Sequence, residues 1–151
     1  MRHRYDFPPF SGERMAKLTV NDLDLQGKRV FTRVDYNVPM AEQAGAMVIN
    51  DDTRIRATLP TLKAMIDKGA RIILAAHLGR PKGERVPSMS LRPVADKLAE
   101  FIGQPVAFCD QCVGDSVAEA VNQLEDGGLL LLEALELKRL PCNNGGIQDA
   151  R

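Results

Sequence analysis

An α/β fold with a parallel sheet is predicted by three observations. Short apolar runs of strand length recur along the chain, as in Ile72-Ile73-Leu74-Ala75-Ala76 and Leu129 to Leu132. Segments whose apolar residues repeat at helical spacing separate them. The connections are short, so each strand and helix pair reads as a βαβ unit with a right-handed crossover. Together these give a three-layer, Rossmann-like arrangement, a parallel sheet flanked by helices.

The elements follow in order. Residues 1–14 are basic and aromatic, and Pro8-Pro9 breaks any regular element, so a flexible N-terminal extension is expected before Met15. This stretch lacks the apolar centre of a secretory signal, and Asp6, Glu13 and the proline pair oppose an amphipathic targeting helix. Arg29 to Asp35 is rich in β-branched and aromatic residues and reads as the first strand. A loop through Asn37, Pro39 and Gly45 follows, and Asn50-Asp51-Asp52-Thr53 then offers several side chains to cap a helix. Ile55, Leu59, Leu62 and Ile66 fall on one face of that helix, with Pro60 expected to kink it or shift its start. Lys68-Gly69 ends it, with a cation in the last turn and glycine beyond.

Arg71 to Ala76 is the second strand, apolar on both faces as a covered parallel strand should be. Ser90 is expected to cap a helix with Leu91, Val94, Leu98, Phe101 and Ile102 on one side and Gly103 at its end. Pro105 to Phe108 is a third strand. Ser116-x-x-Glu119 reads as a capping box, Asp126-Gly127-Gly128 as a stop, and Leu129 to Leu132 as the fourth strand.

Composition removes several classes of function. A length of 151 residues suits one domain with one core. The 20 Lys+Arg balance 20 Asp+Glu, which opposes a nucleic-acid-binding protein, since phosphate backbones demand a basic excess. No run approaches the roughly 18 apolar residues of a membrane span, so no membrane partner is expected. Three cysteines without a secretion signal suggest reduced thiols and a cytoplasmic location. Cys109-Asp110-Gln111-Cys112 has C-x-x-C spacing, which reads as a redox pair or as two half-buried structural thiols; too few further ligands accompany it for a zinc site.

Parallel sheets bind ligands beyond the carboxyl ends of their strands, so the residues that follow each strand carry the functional signal. After the first come Asp35, Tyr36 and Asn37. The second is followed by His77-Leu78-Gly79-Arg80-Pro81-Lys82-Gly83, where glycines permit close backbone approach and Arg80 can fork two donors onto an anion. Basic Gly-Pro loops and structural histidines are common, so both readings of this loop stand. Arg54 favours the anion site: it occupies a first helical turn, where the helix dipole disfavours cations by about 0.3–1 kcal/mol. Arg54, His77 and Arg80 converging on one anion, with Asp35 and Asn37 on its hydroxyls, would suit a small phosphorylated hydroxy acid. No Gly-rich nucleotide motif and no metal-spaced cluster is present, so no cofactor is expected in this chain.

Arg33-Val34-Asp35-Tyr36-Asn37-Val38-Pro39, Asp51-Asp52-Thr53-Arg54-Ile55 and His77-Leu78-Gly79-Arg80-Pro81-Lys82-Gly83 together resemble the phosphoglycerate kinase family. Ser90-Leu91-Arg92-Pro93-Val94-Ala95 and Asp110-Gln111-Cys112-Val113-Gly114 support the resemblance, which runs in order from about Leu18 to Leu132. It implies a single truncated domain over residues 15–134, the N-terminal, 3-phosphoglycerate-binding half of a two-domain glycolytic kinase. The complete enzyme moves a phosphoryl group between 1,3-bisphosphoglycerate and ADP and uses Mg-ADP or Mg-ATP on its other domain, a missing partner here. By the family's pattern Asp35, Tyr36, Asn37, Arg54, His77, Leu78, Gly79 and Arg80 would bind substrate, and Arg54 would also be catalytic, stabilising the phosphoryl group in transfer.

The resemblance breaks after the fourth strand. The family continues into Glu-Asn-x-Arg, whereas Glu133-Ala134-Leu135-Glu136 places a carboxylate where a phosphate-binding arginine is expected. Residues 135–151 read as a divergent tail. Three functions result: a kinase domain inactive alone, a non-catalytic module for a small phospho-acid, or a C-x-x-C redox protein.

Overall fold

The computed structural model describes residues 18–79 and 87–133. Four parallel strands form the main sheet: β1 (Arg29–Arg33), β4 (Arg71–Ala76), β5 (Val106–Cys109) and β6 (Leu129–Glu133). Their spatial order is β1-β4-β6-β5. In register, Val30 lies opposite Ile72, Ile73 opposite Leu130, and Ala76 opposite Glu133. A separate antiparallel pair, β2 (Met40–Gln43) and β3 (Ala46–Ile49), fills the stretch expected to be a loop. Its turn is made by Ala44 at φ 51 and Gly45 at φ 81. Alanine rarely takes a left-handed conformation, so the sequence carries only half of the usual hairpin signal.

Three helices flank the sheet: α1 (Thr53–Asp67), α2 (Arg92–Ile102) and α3 (Asp115–Asn122). The alternation of side chains along the central strands decides which helix they meet. Ile72, Leu74 and Ala76 of β4 and Leu129 and Leu131 of β6 pack with Ile55, Leu62 and Met65 of α1 and Val94 and Leu98 of α2. Ile73, Leu130 and Leu132 point the other way, onto Val117 of α3 and Leu124. Both faces of β4 and β6 are therefore covered, and each buried leucine contributes about 1.5–3 kcal/mol of hydrophobic stabilisation. The expected three-layer α/β architecture is present, with α1 and α2 on one face and α3 on the other.

Several element boundaries differ from expectation, each for a local reason. β1 ends at Arg33 rather than Asp35 because the chain turns where Asp35 accepts the Asn37 N–H at 3.1 Å. Helix α1 runs through Pro60 without ending, and Asp51, not Asp52, accepts the Thr53 N–H at 2.8 Å at its start. Asp52 instead takes two bonds from Arg56, at 2.8 and 3.0 Å. Ser90 sits one residue before the cap position Leu91, and its hydroxyl accepts the Arg92 N–H at 3.2 Å. The capping box at Ser116 and Glu119 does not form: α3 starts at Asp115 after Gly114, and the Ser116 hydroxyl donates to Gln111 Oε1 at 3.2 Å. Gly103 does close α2, at φ 81. The expected extension at 1–14 and tail at 135–151 lie outside the described residues.

Candidate functional site

Ligand-binding residues of a parallel sheet gather where its strands end, because the loops there are free of the ladder and can be shaped for a guest. In this molecule the ends of β1 and β4 are adjacent, since the two strands pair directly. An open pocket of about 390 Å³ lies there, lined by Arg33, Val34, Asp35, Asn37 and His77. Asp35 and His77, expected from separate loops, thus line one cavity.

Arg54 reaches the same place from the first turn of α1. Its Nη1 donates to Asp35 Oδ2 at 2.7 Å, so the side chain crosses toward the strand ends rather than folding back on its own helix. The pair is largely open to solvent, with 51% of the Arg54 and 66% of the Asp35 side chain exposed. Such a pair adds only about 0–1 kcal/mol to stability. It fixes the guanidinium beside Asp35, a lining residue of the pocket. The Asn37 N–H, then Arg54 and the more distant His77, hold the Asp35 carboxyl below the usual carboxylate range.

Asn37 is oriented by the second loop. Its Oδ1 accepts the Gly79 N–H at 3.0 Å, which leaves the amide nitrogen as the group it can offer a ligand. Gly79 has φ 64, and a Cβ there would lie 3.0 Å from Met89 Sδ. Glycine is therefore favoured at this turn by conformation, and a larger residue would also have to displace the Met89 side chain.

Two of the expected residues do not present side chains to the pocket. Tyr36 is fully buried, and its phenol meets Thr58 Oγ1 at 2.8 Å. Because Thr58 gives its own hydroxyl proton to the Ile55 carbonyl, the phenol is the donor of that bond. Burial pushes the Tyr36 phenol above its ordinary pKa. Leu78 is 7% exposed and belongs to the α1/α2-side core. Any contact these two make with a guest falls to their backbone. Arg80 and Glu136 lie outside the described residues. Arg33 and Val34 also line the pocket and were not expected to; Arg33 occupies the last position of β1, and its signal was a cation two residues before Asp35.

The pocket wall combines one carboxylate and one amide with an imidazole and the Arg33 guanidinium, and the Arg54 guanidinium is bonded to that carboxylate. This set suits an anion bearing hydroxyls. Among the described residues no group of three or more His, Cys, Asp or Glu side chains could hold a metal ion. Nor is any described helix long and apolar enough to cross a membrane. Cys109 and Cys112 are free, partly buried thiols, and Cys109 packs against the Ile73–Val117 cluster.

Known proteins resemble the chain in sequence and in fold. Residues 20–140 match the family model described as phosphoglycerate kinase. The phosphoglycerate kinases of Rippkaea orientalis and Picosynechococcus sp. are 54% and 56% identical over 124 residues. Each match takes in 80% of this chain and 30% of the relative, so the chain spans about a third of the length of these curated proteins. Among solved structures, phosphoglycerate kinase from Pyrococcus horikoshii OT3 superposes with a TM-score of 0.65 at 30% identity, over 74% of this chain and 26% of that one. The enzyme from Coxiella burnetii gives 0.60 at 33% identity, over 76% and 27%. A family model that covers most of the sequence, relatives at more than half identity and a shared parallel-sheet fold place the chain in the phosphoglycerate kinase family.

Proposed function

We propose that this chain supplies the 3-phosphoglycerate-binding part of a phosphoglycerate kinase and has no kinase activity by itself. The observation that carries the reading is the convergence of Asp35, Asn37 and His77 on one pocket, with Arg54 bonded to Asp35. A small phosphorylated hydroxy acid offers what these groups seek. Its hydroxyl and carboxylate meet Asp35 and the Asn37 amide, and its anionic oxygens meet the guanidiniums and His77. Arg80, from the same loop as His77, adds a further cation in this reading.

In the complete reaction a phosphoryl group passes between 1,3-bisphosphoglycerate and ADP, and catalysis is mainly positioning and stabilisation of spreading negative charge. Arg54 is the residue for that task. Its contact with Asp35 is exposed, so the guanidinium can turn toward the transferring group at little cost. In this reading the nucleotide and its magnesium are held by the parts of the enzyme that this chain, at about a third of its relatives' length, does not span, and the expected cytoplasmic setting suits the reaction.

Calorimetric titration of the purified chain with 3-phosphoglycerate tests the reading. Saturable heat that Arg54→Ala weakens supports it, and no heat at millimolar ligand overturns it. A coupled ADP/ATP assay should give no turnover; turnover by the chain alone would contradict the assignment of the nucleotide elsewhere.

A further inference from the structure

Glu133 is the last residue of β6 and, at 5% exposure, the sole buried charged side chain among the described residues. A carboxylate is removed from water only where donors replace its hydration. The donors come from the start of α2. Glu133 Oε2 accepts the Leu91 N–H at 3.0 Å and the Ser90 hydroxyl at 3.1 Å. That hydroxyl in turn accepts the Arg92 N–H at 3.2 Å, which forms a relay from the helix into the carboxylate. Leu91 at the cap position has no polar side chain, and the first turn of α2 holds no acidic residue. The negative charge that a helix N-terminus favours is thus delivered from another strand, 42 residues along the chain.

The consequence reaches the pocket by a short path. Ser90 and Leu91 follow Met89, whose sulfur lies against the open side of Gly79. Gly79 donates its N–H to Asn37 Oδ1, and Asn37 lines the cavity. Glu133 also lies opposite Ala76 in the β4–β6 register, one residue before His77.

We propose that Glu133 is a positioning residue for the pocket. Its carboxylate pins the Met89–Leu91 corner to the end of β6, and that corner holds Gly79 where it orients the Asn37 amide. This rests on the reading that the pocket takes a phosphorylated acid, but the path from Glu133 to Gly79 can be judged without a ligand.

The test uses the full 151-residue chain with Glu133→Ala, Glu133→Gln and Ser90→Ala, and with Val117→Ala on the opposite face as a stability control. Amide exchange at Gly79 and Leu91 is followed by NMR, and affinity for 3-phosphoglycerate by calorimetry. Glu133→Ala should speed both amides and weaken affinity by about tenfold relative to the control, the size expected for a lost cap. Glu133→Gln keeps an acceptor oxygen and should stay within about threefold of the parent on both measures. Gly79 exchange and affinity equal to those of Val117→Ala would reduce Glu133 to a general stabiliser and overturn the proposal. Should Glu133→Ala not fold, Ser90→Ala decides in the same way: faster Gly79 exchange than the control supports the path, and equality overturns it. A parent chain without ligand heat removes the proposed function, and the Gly79 exchange then judges Glu133 alone.

Discussion

The two ends of the sheet each carry an arginine–aspartate pair of the same length, and they differ in what surrounds it. At the amino ends of the strands, Arg71 Nε donates to Asp126 Oδ1 at 2.7 Å, and Gln26 donates to the other oxygen at 3.0 Å. The backbone closes around that pair: Gly27 donates to the Gly69 carbonyl, Arg71 to Lys28 and Gly127 to Ala70. Three loops are tied together there. At the carboxyl ends, Arg54 Nη1 donates to Asp35 Oδ2 at the same 2.7 Å, but there Asp35 lines a 390 Å³ pocket with a histidine, an amide and a second arginine. One pair fastens the chain to itself. The other stands beside an open pocket.

The difference yields graded expectations. The largest concerns Arg54. Arg54→Ala should weaken binding of 3-phosphoglycerate by about 1.5–3 kcal/mol, the range for a hydrogen bond to a charged group, with the denaturation midpoint almost unmoved. Calorimetry and urea unfolding on the same preparation measure both. Next is Gly79→Ala, which forces an alanine into φ 64 against Met89. A stability loss of about 1–3 kcal/mol is expected, together with weaker binding because the Asn37 contact goes with the turn. Arg71→Ala should show the reverse of Arg54→Ala: a fall in Tm on the order of a few °C and an unchanged ligand affinity. An equal effect of the two arginine substitutions on affinity would erase the distinction between the ends.

The smallest effect is on acid stability. Asp35 is held below its ordinary pKa by the Asn37 N–H and then by Arg54, and Asp126 by Arg71 and then by Gln26. A lowered native carboxyl stabilises the fold above its unfolded pKa, near 3.9, and the contribution disappears as pH falls through the lower native value. Both ends should therefore lose stability only below about pH 4. Asp35→Asn and Asp126→Asn should each flatten that part of the pH profile, as thermal melts across pH 2–5 would record (about the range set by carboxylate titration).

The ends also differ in how far the sequence disclosed them. Strand β4 was legible to the residue because Ile72 to Ala76 is buried on both faces and needs no polar alternation. The turn at Lys68-Gly69 was legible from its glycine, at φ 68, but Lys68 lies just past the last turn of α1 and its ammonium donates to the carbonyls of Asn21 and Leu23, at 2.7 and 2.8 Å, rather than to its own helix. In the pocket, Asp35, Asn37 and His77 were legible because strand-end positions of a parallel sheet can be counted, and Arg54, which bonds Asp35, because a cation in a first helical turn breaks a rule. What escaped depends on distant partners or weak local signals. Tyr36 looks like a binding residue beside Asp35 and Asn37, yet one residue in a turn decides that its ring enters the core. The Ser116–Glu119 pattern satisfies a capping rule that Gly114 and Gln111 override. The real cap of α2, Glu133, has no local signature, since its partners are more than 40 residues away.

The location of binding is the most direct test of the distinction between the two ends. A titration of isotopically labelled chain with 3-phosphoglycerate, read by amide chemical shifts, reports every position at once. Saturable shifts should concentrate at Val34, Asp35, Asn37, His77 and Gly79, while Gln26, Arg71, Asp126 and Gly127 stay still. Shifts of equal size at the amino ends, or none at the carboxyl ends, would contradict it.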